Sequence, residues 1–262
     1  MFAAEWRTAT PTMRFLGIDD YLAELNVLVD HLGMPVDLVG LCQGGWMALI
    51  YAARFPAKVH KLVLAGSPVD FAAAPSALSD LAKITPLATF EQLVRIGDGI
   101  VQGRKVLKFW GVESVLAEDI RQVLQTSCVP GSPDFTALEA SFRNWYAWTI
   151  DLPGRYFLEV VDKLYKQNEL ALGKLVALGR RIELAEVDMP IFLLAAADDE
   201  LVSPQQLFAT EHLVRSAGMR KQIVPGRHVG LFMGKSVLEG VWREIAGWVR
   251  EPMVAVNAVR LK

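Results

Sequence analysis

The sequence is poor in cysteine and carries no concentration of positive charge. Its two cysteines, Cys42 and Cys128, are too far apart to suggest a disulfide framework, so a reducing compartment is the simpler context. The formal net charge is −2 and no basic block occurs, which argues against nucleic-acid binding. Because no apolar run reaches about 18 residues and the first residues lack an apolar signal core, neither a transmembrane helix nor a secretory signal is predicted.

Motifs for metals and cofactors are missing as well. The sequence has no HxxxH, CxxC, acidic calcium loop, GxGxxG or Walker pattern, so we expect neither a metal nor a cofactor. What is abundant is apolar residues, which make up 52% of the chain and give a mean hydropathy of +0.28. The simpler interpretation is a large buried parallel sheet, and the alternative is an apolar surface that meets a greasy ligand.

Hydrophobic patterning predicts alternating strands and helices in two parts of the chain. The predicted strands cover residues 36–40, 61–65, 191–197 and 221–224, and the predicted helices cover residues 19–32, 43–55, 204–217 and 235–249. The order strand, tight turn, helix, strand over residues 36–65 is typical of a parallel sheet. We therefore predict an α/β fold with a mostly parallel sheet and helices on both faces.

The stretch from about residue 68 to residue 173 breaks this rhythm. It is mostly helical in pattern and rich in aromatic residues, which either line an apolar acyl pocket or form the core of a helical insertion. We predict a core domain of residues 1–67 and 176–262, with residues 68–175 inserted as a helical cap. Residues 251–262 are expected to be irregular.

The segment Gly-Leu-Cys-Gln-Gly-Gly, residues 40–45, lies between a predicted strand and a predicted helix. This spacing matches the nucleophile elbow G-x-S-x-G with cysteine in place of serine, which predicts Cys42 as a nucleophile. Gly40 and Gly44 would permit the close backbone approach of this turn, and the helix dipole would favour the thiolate. The N–H of Gln43 is the predicted first oxyanion donor. The alternative is a buried, inert cysteine in a glycine-rich turn.

Two further segments carry the groups that a cysteine nucleophile needs. Asp198 and Asp199 follow the third predicted strand, and His228 lies in a glycine-flanked loop after the fourth. The chain order nucleophile, acid, histidine is that of the α/β-hydrolase fold. We therefore predict His228 as the base and one of the two aspartates as its partner. The other aspartate is expected to cap the helix that begins near Ser203.

At these motifs the sequence resembles the polyhydroxyalkanoate synthases and the related intracellular polyhydroxyalkanoate depolymerases. The resemblance is carried by residues 40–71, 156–190, 198–204 and 225–234, with further likeness at residues 18–25 and Trp6. It implies an α/β-hydrolase fold with Cys42 as acyl-accepting nucleophile and His228 as base. It favours Asp199 over Asp198 as the acid, because the family pattern is Asp, any residue, then Leu-Val.

Three features depart from the pattern of this family. Trp46 stands where the family has a smaller residue, and Arg227 stands where it has a glycine. The family also has a long segment before the point where this sequence starts, so we expect the first strands of the fold, and the loop with the second oxyanion donor, to be missing. Such a chain is expected to expose the edge of the strand before Cys42, to self-associate and to be weakly active.

The resemblance implies acyl transfer on 3-hydroxyacyl thioesters or polyesters through a Cys42 thioester, with synthesis favoured over depolymerisation. A coenzyme A thioester would then be a substrate, not a cofactor. Two alternatives remain, namely a depolymerase, esterase or thioesterase, and a non-catalytic polyester-granule protein. The implied partners are 3-hydroxyacyl-CoA or polyester, together with a second synthase subunit or a second copy of the chain. The expected location is the cytoplasm, either free or at polyester granules.

Overall fold

The computed structural model describes residues 1–33, 35–109, 117–124, 127–216 and 218–252. The strands are β1 (Val36–Leu41), β2 (Val59–Ala65), β3 (Ile100–Val101), β4 (Leu152–Pro153), β5 (Val176–Ala177), β6 (Arg180–Arg181), β7 (Ile191–Ala196) and β8 (Met219–Val224). The α-helices are α1 (Ile18–Leu32), α2 (Gln43–Arg54), α3 (Ala77–Ile84), α4 (Leu87–Ile96), α5 (Gly103–Phe109), α6 (Ala117–Leu124), α7 (Pro133–Ala147), α8 (Gly154–Glu159), α9 (Pro204–Phe208), α10 (Thr210–Leu213), α11 (Gly230–Met233), α12 (Lys235–Glu239) and α13 (Val241–Arg250). A π-helical turn (Val160–Lys166) continues α8, and 3-10 turns cover Pro11–Met13, Pro56–Lys58 and Leu184–Glu186. Most of the chain end predicted to be irregular, from residue 253 onward, lies outside the described residues.

A four-stranded parallel sheet in the order β1-β2-β7-β8 forms the centre of the molecule. All of β7 and nearly all of β2 is buried, as expected for leucine- and valine-rich strands inside a parallel sheet. Gly40 lies opposite Leu64, and Leu64 lies opposite Leu193. Because the four strands point the same way, the loops that follow β1, β7 and β8 meet at one edge of the sheet. The predicted α/β fold with a parallel sheet is confirmed.

Strand β1 is one of the two outer strands of this sheet, with β8 at the opposite edge, and it pairs with β2 alone among the described strands. Two of its side chains, Val39 and Leu41, are 46% and 43% exposed. An apolar strand with an unpaired edge is a template for pairing with another extended chain. The expected open edge before Cys42 is therefore present in the part of the chain that the structure describes.

Alternate residues of the central strands point into two separate cores. Leu64 and Leu193 pack with α2 in the larger core. Val63 and Phe192 point to the opposite face and pack against α13, where Trp248 contacts Phe192 edge to face. This alternation follows from the two-residue period of a strand, so helices cover both faces of the sheet as predicted.

A buried lysine ties the sheet to the last described helix. Lys61 of β2 is buried, and its Nζ donates to the carbonyl oxygens of Trp248 at 2.7 Å, Val249 at 3.1 Å and Glu251. The last carbonyls of a helix lack partners within it and carry the negative end of its dipole. These hydrogen bonds therefore cap α13 and offset the free-energy cost of burying the Lys61 ammonium.

The described chain between β2 and β7 is mostly helical, with α3 to α8 and the π-helical turn. Two antiparallel ribbons that the sequence pattern did not predict, β3 with β4 and β5 with β6, have two residues in each strand. The division into a core of residues 1–67 and 176–262 and a cap of residues 68–175 stays a prediction.

The residues before and at the start of α1 contact this helical stretch. The Ala9 N–H donates to the carbonyl oxygen of Asp151 at 2.9 Å. The Ile18 N–H donates to Glu159 Oε2 at 2.8 Å. These bonds tie the residues before α1, and the first residue of α1, to the segment that precedes β4 and to the last residue of α8.

Two helices are shorter than the sequence pattern predicts. The helix predicted over residues 204–217 forms α9 and α10, which together end at Leu213, and residue 217 lies outside the described residues. The helix predicted over residues 235–249 is broken at Gly240, which separates α12 from α13. Glycine disfavours a continuous helix because it has the largest backbone entropy to lose. None of the described helices is both long and apolar enough to cross a membrane.

Candidate active site

Cys42 forms the turn between β1 and α2. Its backbone has φ 50° and ψ −120°, a combination that residues with a side chain rarely adopt and that concentrates at functional sites. Its N–H donates to the carbonyl oxygen of Ala65 at 2.9 Å, which fixes the turn to the end of β2. Helix α2 begins at Gln43, so the positive end of the helix dipole lies directly beside the thiol.

The glycines around Cys42 match the prediction only in part. A Cβ on Gly40 would lie 2.5 Å from the carbonyl oxygen of Gly44, so the need for glycine at residue 40 is confirmed. The same expectation for Gly44 is wrong, because a Cβ there would meet no atom within 4 Å. The close approach occurs instead at Gly45, where a Cβ would lie 1.7 Å from Ser67 Oγ. The first turn of α2 packs on the residues that follow β2, and this tertiary contact sets the requirement.

Asp199 and His228 are joined in a buried pair. His228 Nδ1 lies 2.8 Å from Asp199 Oδ2, and their side chains are 5% and 1% exposed. The second carboxylate oxygen of Asp199 accepts the backbone N–H groups of Leu201 at 2.9 Å and Val202 at 2.8 Å. These bonds fix the carboxylate, and the carboxylate orients the imidazole so that Nε2 is left for another partner.

The structure separates the two neighbouring aspartates. Asp198 is exposed, and its backbone N–H donates to the carbonyl oxygen of Gly226 at 3.0 Å. The expectation that one aspartate caps the next helix is wrong, since Ser203 is the N-cap of α9 and accepts the N–H of Gln206. Asp199 is therefore the aspartate that contacts His228.

The electrostatics of His228 link it to both other predicted site residues. Burial lowers the pKa of His228, but the negative charge of Cys42 and hydrogen bonds with Asp199 and Cys42 outweigh it and raise this pKa to about 10. The structure thus brings Cys42, Asp199 and His228 together at one edge of the sheet.

Gln43, the predicted oxyanion residue, is the first residue of α2. Its N–H has no acceptor within the helix, because the first turn of any helix leaves its N–H groups unpaired. Its side chain is engaged, since the hydroxyl of Tyr156 donates to Gln43 Oε1 at 3.0 Å. The sequence pattern gave no indication of this tyrosine, which comes from α8.

The pattern also missed the residues that pack on the histidine ring. Gly66 directly follows β2 with φ +55°, and a Cβ there would lie 3.2 Å from His228 Cε1. Phe232 of α11 contacts the ring edge to face, with centroids 5.4 Å apart. Gly66 therefore leaves the space that the imidazole occupies. The only signal in the sequence is a glycine directly after a strand.

Arg227 and Trp46, the two residues that depart from the family pattern, both make defined contacts in the structure. Arg227 Nε lies 3.4 Å from Glu200 Oε2, and the same oxygen accepts the backbone N–H of His228 at 3.2 Å. Trp46 is fully buried and stacks on Tyr156 with centroids 6.4 Å apart.

Within the described residues, no group of three or more His, Cys, Asp or Glu side chains could hold a metal ion.

Comparison with solved structures supports the fold. A monoacylglycerol lipase of Paleococcus ferrophilus superimposes with a TM-score of 0.57 at 15% identity, covering 89% of this chain and 75% of the lipase. A putative non-heme bromoperoxidase of Mycobacterium tuberculosis gives a TM-score of 0.55 at 18% identity, covering 90% of this chain and 76% of that one. The family described as alpha/beta hydrolase fold matches residues 7–105. The strand order and the elbow at Cys42 are those of an α/β-hydrolase fold, as predicted.

Within that class, the chain belongs to the family described as PHB de-polymerase C-terminus, which matches residues 117–252, just over half of the sequence. Its relatives include poly(3-hydroxyalkanoate) polymerase subunits PhaC. That of Synechocystis sp. is 27% identical over 96% of this chain and 69% of the relative, and that of Allochromatium vinosum 26% over 96% and 71%. That of Haloferax mediterranei is 23% identical, and there the chain spans 52% of the relative. The resemblance predicted from the motifs is thereby confirmed.

Proposed function

We propose that this protein is an enzyme that transfers 3-hydroxyacyl groups through a thioester on Cys42, with His228 as base and Asp199 orienting it. The observation that carries the proposal is the buried Asp199–His228 pair, whose imidazole also bonds to Cys42 at the strained turn. The PhaC relatives, named as polymerase subunits, support polyester synthesis as the direction.

The proposed reaction has two halves that use the same groups. His228 holds the proton of the Cys42–His228 pair while the Cys42 sulfur attacks the thioester carbonyl, and His228 then gives that proton to the departing coenzyme A sulfur. In the second half His228 takes the proton of an incoming hydroxyl group. That oxygen attacks the Cys42 thioester and releases the sulfur, which regains the proton. The oxyanion of each half is stabilised by the N–H of Gln43.

Hydrolysis of polyester is the second candidate. The description of the matching family as a depolymerase favours it, and the same three residues would serve. The two functions differ in whether the second-half hydroxyl belongs to a polyester chain end or to water. Release of coenzyme A from 3-hydroxybutyryl-CoA with growth of polymer supports synthesis, whereas release of monomer from amorphous polyester supports hydrolysis.

The test of the common first half is mass spectrometry after mixing the protein with 3-hydroxybutyryl-CoA. We expect an acyl adduct on the peptide that contains Cys42. Cys42→Ala should abolish both the adduct and coenzyme A release, whereas Cys128→Ala should leave both unchanged. Turnover by Cys42→Ala at the unmodified rate would contradict the mechanism. Alkylation of Cys42 no faster than that of Cys128, with no adduct, would support the non-catalytic granule protein instead.

A further inference from the structure

A buried tyrosine reaches the residue that follows Cys42. Tyr156 is 1% exposed, and its hydroxyl donates to Gln43 Oε1 at 3.0 Å. Burial and the neighbouring Tyr21 and Tyr165 raise the pKa of Tyr156, and the negative charge of Cys42 adds to this effect. The hydroxyl therefore stays protonated as a donor close to the reaction centre, although neither half of the proposed reaction uses it.

The ring of Tyr156 is held from several sides. Tyr21 contacts it edge to face with centroids 5.0 Å apart, Trp46 stacks on it, and Trp6 lies 6.0 Å away. Its backbone N–H donates to the carbonyl oxygen of Leu16 at 3.0 Å. A ring packed in this way has a fixed hydroxyl position, so the hydrogen bond restrains Gln43 more than Gln43 restrains the tyrosine.

Gln43 needs such a restraint. It is an exposed residue at the first position of α2, where a glutamine side chain would otherwise rotate freely in water. With Oε1 held by Tyr156, the side-chain Nε2 is directed away from the phenol. The backbone N–H of the same residue is the proposed oxyanion donor, and donors that are fixed before the reaction stabilise the transition state most effectively.

We propose that Tyr156 is a positioning residue of the oxyanion site. It holds the Gln43 side chain and thereby aligns the Gln43 N–H with the carbonyl oxygen of the acyl group being transferred. This inference rests on the proposed function, since it names the residue that fixes the oxyanion donor of the same reaction.

The test compares Tyr156→Phe with Tyr51→Phe. Tyr51 is a matched control, because it is a buried tyrosine of α2 whose hydroxyl also donates to an amide oxygen, that of Asn26, at 3.2 Å. Both variants lose one hydrogen bond of the same kind, so their urea midpoints should fall by similar amounts. The readouts are the single-turnover rate of Cys42 acylation by 3-hydroxybutyryl-CoA and the rate of Cys42 alkylation by iodoacetamide.

We expect Tyr156→Phe to lower the maximal single-turnover acylation rate about tenfold, less than the loss of a whole oxyanion donor, with the substrate concentration for half-maximal rate unchanged. Alkylation should be unchanged, because it develops no oxyanion. Tyr51→Phe should keep both rates. Equal acylation rates in the two variants, or equal slowing of acylation and alkylation by Tyr156→Phe, would overturn the positioning role.

A double-variant cycle tests whether Tyr156 acts through Gln43. Gln43→Met keeps the side-chain length and the backbone N–H but removes the amide. In that background Tyr156→Phe should cause no further loss of acylation rate, and additive losses would overturn the inference. If the unmodified protein forms no adduct on Cys42 while its thiol still alkylates, the proposed function fails, which is an outcome distinct from equal rates in the two tyrosine variants.

Discussion

The two sides of the candidate site are built very differently. On the acid–base side, both oxygens of Asp199 are engaged and His228 is buried, although β8, which precedes His228, is an outer strand like β1. On the nucleophile side, Cys42 is only partly buried, and its backbone makes one hydrogen bond through the N–H, to Ala65, and one through the carbonyl, from Gly45.

The two sides of the site therefore differ in how many contacts hold the reactive group in place. The acid–base side has several bonds that must all fail before the imidazole moves. The nucleophile side depends on the backbone bonds of Cys42 with Ala65 and Gly45, on the glycines at residues 40 and 45, and on the hydrogen bond from Tyr156 to Gln43. We therefore expect substitutions on the two sides to fail in different ways.

The largest expected effect comes from removing the base. His228→Gln should lower the acylation rate by about 10²–10⁴, the usual contribution of a positioned general base. Asp199→Asn should cost less, and the double variant should be little worse than His228→Gln alone, because such groups act as a unit. Asp198→Asn is the control and should be mild. A larger loss at residue 198 than at residue 199 would reverse the assignment of the acid.

A smaller loss is expected from crowding the imidazole without removing it. Gly66→Ala adds a Cβ at 3.2 Å from His228 Cε1 and at 2.9 Å from Leu231 Cδ1. We expect an acylation rate about tenfold lower, and a cost of about 1–2 kcal/mol in the free energy of unfolding for alanine at positive φ. Gly247→Ala, in α13 where a Cβ meets no atom within 4 Å, should instead stabilise the fold by up to about 1 kcal/mol. Full activity in Gly66→Ala would show that the ring has room to shift.

The pH dependence of stability tests the electrostatic side of the comparison. The pKa of His228 is raised from 6.5 to about 10 in the folded protein, so its proton stabilises the fold. This contribution is complete below pH 6.5 and is lost as the pH rises towards 10. The urea midpoint of the unmodified protein should therefore fall between pH 6.5 and 10, and His228→Gln should remove that part of the fall. Parallel curves for the two proteins would argue against a retained proton on His228.

The smallest effect on the chemistry is expected at the open edge of β1. Val39→Lys places a charge on this edge and should reduce self-association, measured by sedimentation velocity over a range of concentrations. Val27→Lys is the control, since Val27 is 69% exposed but lies on α1, where no strand edge is open. Equal reduction by both variants would mean that net charge, not the edge of β1, controls association.

The site could be predicted from the sequence wherever one segment contains its own signal. The elbow at Cys42, and the aspartate and histidine after β7 and β8, are local patterns of strand, turn and glycine. The fold class followed from the same alternation of strands and helices. These signals can be recognised in the sequence because each depends on residues within a few positions of one another.

The rest depends on contacts between distant segments. Glycine at residue 66 is needed because His228, far along the chain, packs against it, and no pattern around residue 66 shows this. The wrong expectation for Gly44 has the same origin, since it is Gly45 that approaches Ser67. The sequence pattern does not distinguish Tyr156 from other apolar residues of a helix, and only the folded structure places its hydroxyl next to Gln43.

The strand order also has a consequence for the nascent chain during translation on the ribosome. β2 ends at Ala65 and its neighbour β7 begins at Ile191, so the ribosome adds 125 residues between them. At about 5–20 residues per second this takes about 6–25 seconds. Throughout that interval one backbone edge of β2, among the most apolar segments of the chain, has no partner to pair with. The nascent chain is therefore more exposed to misassembly than the finished protein, and this hazard is set by the order in which the strands are made.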